Sequence, residues 1–266
     1  MSVGKQIRLK RIFSHPTGRL CSVAVDHFVG YQAGLPTGLT DLPTVLAKIV
    51  AGRPDAVTMN KGVAITCWPL HAGKTAMIVQ AGCFTVNDSI MQVMTDPEEV
   101  VRLGADAIAV SIGVRGPNEG AFLKMLSTKV TEASRYDLPV IAHIYPRVYD
   151  DGNARIVHDA ENIAWAVRSG IECGADIIKV GYTGDVQSFG QIVRSCPVPI
   201  VAAGGPKAGS LLEALSLMDE AVDSGAMGAT IGRNIWGSAD PANSLAAFKA
   251  VIHDREKPST AILSVK

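Results

Sequence analysis

The chain has 266 residues, 47% hydrophobic and 19% charged, enough apolar mass for one large soluble domain that buries most of its apolar surface. Basic and acidic residues balance at 25 each, which speaks against a nucleic-acid partner, and no apolar run reaches membrane-spanning length, so no membrane partner is expected either. Cys21, Cys67, Cys83, Cys173 and Cys196 show neither paired metal spacing nor a disulfide framework, which fits reduced thiols and a cytoplasmic location.

Along the chain, the polar start "GKQIRLKR" lacks the apolar core of a secretory signal and reads as a solvated or subunit-facing part of an N-terminal extension over 1–19. Eight short runs rich in Val, Ile and Ala then follow: "LCSVAVD" (20–26), "AVTMN" (56–60), "TAMIVQA" (75–81), "AIAVSIG" (107–113), "PVIAHIY" (139–145), "DIIKVGY" (176–182), "PIVAAGG" (199–205) and "ATIGRN" (229–234). Such runs read as parallel strands buried on both faces. Helix signals lie between most of them, at "TDLPTVLAKIV", "DPEEVVRLG", "NEGAFLKMLSTKVTEASRYD", "DAENIAWAVRSGIECG" and "SLLEALSLMDEAVDSG". Several open on an Asp or Asn cap and close on Gly. The link "KGVAITCWPLHAGK" predicts only a short helix or turn. Residues 254–266 form a C-terminal tail whose apolar part, "STAILSVK", suits packing on a neighbouring subunit.

Eight strand-helix alternations predict an α/β fold of a single domain, the TIM (β/α)8 barrel. The runner-up is an open doubly wound sheet, but no glycine-rich dinucleotide turn follows the first strand. In a barrel, catalytic groups collect at the carboxyl ends of the strands. Those ends carry Asp26-His27, Asn60-Lys61, Arg115, Tyr145-Pro146-Arg147, Lys179, Gly204-Gly205-Pro206-Lys207 and Gly232-Arg233-Asn234. The last two are glycine turns after strands seven and eight, where such barrels commonly bind phosphate through bare backbone N–H groups. Arg233 would add a charge-assisted fork. The plain alternative is two tight turns.

Lys179 sits in a strand otherwise made of Ile177, Ile178 and Val180. A buried ammonium is disfavoured by desolvation, so this lysine is paired, reaches water, or serves as a neutral amine able to attack a carbonyl and form a Schiff base. Bringing its pKa from about 10.4 to about 7 requires roughly 5 kcal/mol of differential stabilisation. Lys61, Arg147 and Arg233 are candidate cations for that purpose. An iminium intermediate needs a second group to move a proton, and Tyr145 suits the role. A structural tyrosine at the rim is the other reading. Asp26 could orient the amine or act as a loop anchor. His27 and His143 are secondary candidates.

Together "VAVDH", "MNKGV", "YPR", "DIIKVGYTGD", "AAGGPK" and "GATIGRNIW" resemble, in order and interval, the class I aldolases that include archaeal-type fructose-bisphosphate aldolase, aminodideoxyheptulosonate synthase and the aldolase-like enzyme of autoinducer-2 phosphate breakdown. The resemblance implies that Lys179 forms the Schiff base, Tyr145 acts as acid and base, and Asp26 assists. It also implies that Gly204, Gly205, Gly232 and Arg233 bind a substrate phosphate, with Lys61 and Arg147 as further candidates. The chain departs from the family pattern at Phe28 and Val148, where glycine is usual, and at Asn60, where histidine is frequent. Those positions shape the pocket and hence the substrate.

The reading is therefore a Schiff-base aldolase acting on a phosphorylated ketose, without a cofactor or metal, and forming a homo-oligomer as its family does. A transaldolase or acyl transferase on the same scaffold would share Lys179 and differ in acceptor. A non-catalytic sugar-phosphate binding protein or a flavin-phosphate barrel would form no reducible imine.

Overall fold

The computed structural model describes residues 1–28, 34–150 and 153–264. Val265 and Lys266, the end of the predicted tail, lie outside the described residues. The strands are β1 (Leu20–Ala24), β2 (Ala56–Asn60), β3 (Ala76–Gln80), β4 (Gly82–Phe84), β5 (Met91–Val93), β6 (Ala107–Val114), β7 (Val140–Asp150), β8 (Asn153–Ile156), β9 (Ile177–Gly181), β10 (Ile200–Ala203) and β11 (Gly228–Ile231). Eight of them, β1, β2, β3, β6, β7, β9, β10 and β11, pair in parallel and close on themselves through β6 with β7 and β1 with β11. The predicted barrel is the observed one, and all eight predicted runs are its strands.

The helices are α1 (Val3–Ile12), α2 (Leu42–Ala51), α3 (Lys61–Thr66), α4 (Pro97–Arg102), α5 (Glu119–Ser134), α6 (Ala160–Glu172), α7 (Val186–Ser195), α8 (Leu211–Asp223), α9 (Arg233–Trp236), α10 (Pro241–Lys249) and α11 (Pro258–Ser264). Local chemistry sets their starts. The side chains of Asp41, Asp159, Asp185 and Ser210 each accept from a backbone N–H in the first turn of α2, α6, α7 and α8, satisfying donors that a helix start leaves open. The short α3, followed by a 3-10 turn at Trp68–His71, fills the β2–β3 link as the sequence suggests.

Period-two alternation decides what each strand shows to the barrel interior. Ile177 of β9 belongs to the inner cluster with Leu20, Ala56, Ile78, Ala109, Ile141 and Val201, while Ile178 and Val180 join the outer core under the helices. Two residues beyond six of these seven apolar inner positions the interior turns polar: Ser22, Thr58, Gln80, Ser111, His143 and Lys179 follow Leu20, Ala56, Ile78, Ala109, Ile141 and Ile177, and only Val201 is followed by an apolar residue, Ala203. The lower barrel is thus a packed core, and the layer above it is a chemical floor.

Both ends of the chain pack on the barrel. The basic start forms α1, whose inner side covers the amino end of the barrel while Gln6, Ile7, Lys10 and Arg11 stay exposed. Ile12 is fully buried in the inner cluster, Lys5 pairs with Asp176 at 3.0 Å, Arg8 donates to the Ala105 carbonyl at 2.6 Å, and Arg11 meets Asp106 at 3.3 Å. The apolar tail folds as α11 against α8 of its own barrel, with Ala261 buried. Strand β7 also runs past the expected end at Tyr145 and turns back as β8, pairing Arg147 with Ile156. That hairpin leans over the carboxyl mouth.

Candidate active site

At the carboxyl end lies a cavity of about 460 Å³. Its walls include Asp26, His27, Asn60, Gln80, Ser111, Tyr145, Lys179, Thr230, Gly232 and Arg233. Lys179 is only 7% exposed, and in the sheet it stands between His143 of β7 and Val201 of β10. Burial pushes its amine below the ordinary lysine value; Asp26 opposes that shift and the Arg233 guanidinium adds to it. A buried lysine so depressed has more of the neutral amine that nucleophilic attack requires.

Asp26 closes the other side. Burial alone would raise its carboxyl, but His27, Lys179 and His143, with the hydrogen bond from Gln80, hold it below the usual carboxylate range. His27 lies 3.6 Å from Asp26, yet burial lowers its pKa to about 4 against the pull of Asp26, so at neutral pH the contact is between a carboxylate and a neutral ring. The ring stands edge-on to Trp236 at 5.2 Å, and a side chain at Gly232 would collide with it. Gly232 is therefore required by His27 as well as by any ligand. Tyr145 lines the same cavity from β7, its ring 5.7 Å from that of Phe84.

Gly204, Gly205, Gly232 and Arg233 line the cavity from the loops after β10 and β11. Asn234 binds the two loops into one unit: its amide donates to the carbonyls of Gly204 (2.9 Å) and Pro206 (3.0 Å) and accepts from the Ala208 N–H (2.9 Å). Gly205 has φ +68°, a backbone state that favours glycine.

The sequence pattern of the DeoC/LacD family aldolase matches residues 20–238, most of the chain and the whole barrel. The chain belongs to the DeoC/LacD family of aldolases. It is 34% identical over 262 residues to the 2-amino-3,7-dideoxy-D-threo-hept-6-ulosonate synthase of Halobacterium salinarum, covering 97% of this chain and 95% of that one. It is 32% identical to the 3-hydroxy-5-phosphonooxypentane-2,4-dione thiolase of Photorhabdus laumondii, over 97% and 85% of the two chains. Among solved structures, an archaeal fructose 1,6-bisphosphate aldolase superposes with a TM-score of 0.82 at 25% identity, over 94% of this chain and 99% of that one. The likeness read from the motifs is borne out, and the protein is an enzyme of carbon–carbon bond chemistry.

In this aldolase, two residues expected at a phosphate are engaged elsewhere. Lys61 points to Glu99 at 3.1 Å. Arg147 is completely buried, paired with Asp88 and donating to the Val86 carbonyl at 3.1 Å. Neither lines the cavity, so both leave the set of phosphate contacts: their charges are already matched by carboxylates. Arg115 likewise pairs with Glu161 at 3.0 Å and stacks on Trp165. The residues that sequence reasoning passed over are Gln80, Ser111, Thr230 and His158 in the walls. Gln80, Ser111 and His143 all sit two positions beyond an inner apolar residue, a signal that counting by twos back from the strand ends would have found. His158 lies beyond the unforeseen β8 turn and packs over Gly181; burial lowers its pKa.

Proposed function

We propose that the protein is a class I, Schiff-base-forming aldolase whose substrate is a ketose carrying phosphate at one end. The observation that carries this reading is the buried Lys179 amine, depressed by burial and facing a cavity that holds both a carboxylate and a phenol. Lys179 Nζ attacks the ketone carbon, the carbinolamine loses water, and an iminium forms. Tyr145 then takes the proton of the hydroxyl on the β carbon, two carbons from the iminium carbon. The carbon–carbon bond breaks, its electron pair moves into the iminium to give an enamine, and an aldehyde leaves. Protonation of the enamine and hydrolysis return the lysine. Asp26, ionised beside the amine, favours proton transfer during carbinolamine collapse.

Gly204, Gly205, Gly232 and Arg233 receive the phosphate. Among the described residues, Lys179 and Arg233 are the only lysine and arginine in the cavity wall. Phe28, Phe84, Val86, Met94 and Ile156 supply an apolar part of the wall, which suits an uncharged portion of substrate better than a second phosphate. Borohydride treatment with dihydroxyacetone phosphate should add a covalent mass at Lys179, and a ketose monophosphate should be cleaved in preference to fructose 1,6-bisphosphate. An unmodified Lys179 under saturating ketose phosphates overturns the imine; preference for the bisphosphate overturns the one-phosphate reading.

The thiolase relative supports a second reading, acyl transfer from a phosphorylated diketone to a thiol. The presence of Tyr145 in the wall favours aldol cleavage, which needs a base beside a hydroxyl. Dependence of turnover on an added thiol acceptor would reverse that preference.

A further inference from the structure

The polar floor contains an amide with every hydrogen-bonding position used. Gln80, the last residue of β3 and 3% exposed, accepts at Oε1 from the backbone N–H groups of Gly82 and Ser111, both at 3.1 Å. Two fixed N–H donors decide which end of the amide is oxygen, because the reversed side chain would set its NH2 against both and its oxygen against a carboxylate. The Nε2 group must therefore face the other way. There it lies 3.0 Å from Asp26 Oδ2 and 3.1 Å from His143 Nδ1.

A donor at Gln80 Nε2 makes His143 Nδ1 an acceptor, so the neutral ring carries its proton on Nε2. An imidazolium has N–H on both nitrogens and would face donor to donor across this contact. The charged groups facing His143 are Lys179, paired with it in the sheet, and Asp26, with His27 beyond. Burial and Lys179 push His143 well below the ordinary histidine value, outweighing the pull of Asp26. His143 is buried and absent from the cavity wall, so it acts through its neighbours.

We propose that Gln80 is a positioning residue of this site: its locked amide sets the Asp26 carboxylate on one side and holds His143 as the neutral Nε2–H tautomer beside Lys179 on the other. The catalytic meaning rests on the imine reading; the tautomer does not. With His143 neutral, the floor adds no cation to that of Arg233 against the amine, and Lys179 is left as the charged partner of Asp26 from the strands.

The test combines spectroscopy on the full-length protein with two variant pairs. In protein carrying 15N-labelled histidine, His143 should show an unprotonated Nδ1 and a protonated Nε2 across neutral pH. Gln80→Glu keeps the size but places a carboxylate oxygen between Asp26 and His143. It should draw a proton onto Nδ1 and raise the Asp26 titration followed by 13C. It should also move the acid limb of borohydride trapping with dihydroxyacetone phosphate to higher pH and slow trapping at neutral pH about tenfold, with its half-saturating concentration within about twofold of wild type. His143→Leu should slow trapping too, and His143→Asn, whose Oδ1 can accept from Gln80, should recover most of that loss. A wild-type proton on Nδ1, or an Asp26 titration and His143 tautomer unmoved in Gln80→Glu, overturns the proposal. If Gln80→Glu does not fold, failure of His143→Asn to outperform His143→Leu overturns it. Absence of trapping in wild type with the predicted tautomer present would refute the imine reading alone.

Discussion

Acid should destabilise this protein through His27, by an amount that can be worked out. In the unfolded chain the ring titrates near 6.5, and in the folded site near 4, because burial disfavours the cation more than Asp26 favours it. Between those values the unfolded chain binds a proton that the folded chain refuses. Stability therefore rises with pH across this window: the contribution is complete above about 6.5 and lost as pH falls through about 4. At about 1.4 kcal/mol per pKa unit, the window is worth about 3 kcal/mol, or a shift in Tm of roughly 6 to 12 °C for a chain of this size. Asp26, whose depressed carboxyl loses its contribution chiefly below the ordinary value of 3.8, acts mainly beneath this window. Urea unfolding of wild type and His27→Asn from pH 7 to 4 should give curves that diverge from parallel by about this amount, the variant being flatter. His158, whose lowered value owes nothing to His27, steepens both curves alike and cancels in the difference. Parallel curves for the two proteins would refute the assignment of a neutral, buried His27.

Three further outcomes are expected. Lys179→Met should abolish borohydride trapping and yet raise Tm by a few degrees, since it relieves a desolvated amine in an apolar strand; a Tm lowered by a similar amount would mean the lysine contributes net stability. Tyr145→Phe should still trap substrate at Lys179 while turnover falls roughly a hundredfold, and near-normal turnover would move the proton transfer to another group. Arg233→Ala should weaken phosphorylated ligands by about 1.5–3 kcal/mol and leave unphosphorylated analogues little changed, as read by calorimetry; equal losses for both would remove the phosphate from that end.

The barrel was legible because each strand is buried on both faces and so writes an unbroken apolar run, bounded by caps and glycines that the chain cannot hide. Lys179 was legible for the converse reason: one charge inside "IIKVG" violates the run. What escaped was whatever depended on partners distant in sequence. Arg147 looks like an anion binder until Asp88 is seen beside it, and Lys61 until Glu99 is. The pairing of Lys5 and Arg11 of α1 with Asp176 and Asp106, more than ninety residues away, is likewise unmarked in the sequence. The β7–β8 hairpin escaped because alternation beyond Pro146 is short and polar, so nothing marks Val148 to Ile156 as paired strand rather than loop.

The division between what was readable and what was not follows the division of labour in the site. The groups to which we assign the imine chemistry stand on barrel strands or just beyond them, where register fixes them: Lys179 opposite His143, and Gln80 opposite Asn60 on the neighbouring strand. The rest of the cavity wall comes from segments outside the barrel strands, Phe28 after β1, Phe84 and Val86 from the β4–β5 hairpin, and Ile156 and His158 from β8 and the residues after it. A strand residue cannot change its facing without shifting the whole register, whereas a hairpin tip can be rebuilt at little cost to the core. The imine apparatus can therefore persist while the mouth changes, and two of this chain's departures from its family pattern, Phe28 and Val148, fall in those outer segments. It follows that exchanging the β4–β5 or β7–β8 hairpin should alter which aldehyde portion is accepted while leaving trapping of dihydroxyacetone phosphate at Lys179 in place. Loss of trapping on such an exchange would show that the mouth helps to build the floor, and that chemistry and specificity are not separable in this barrel.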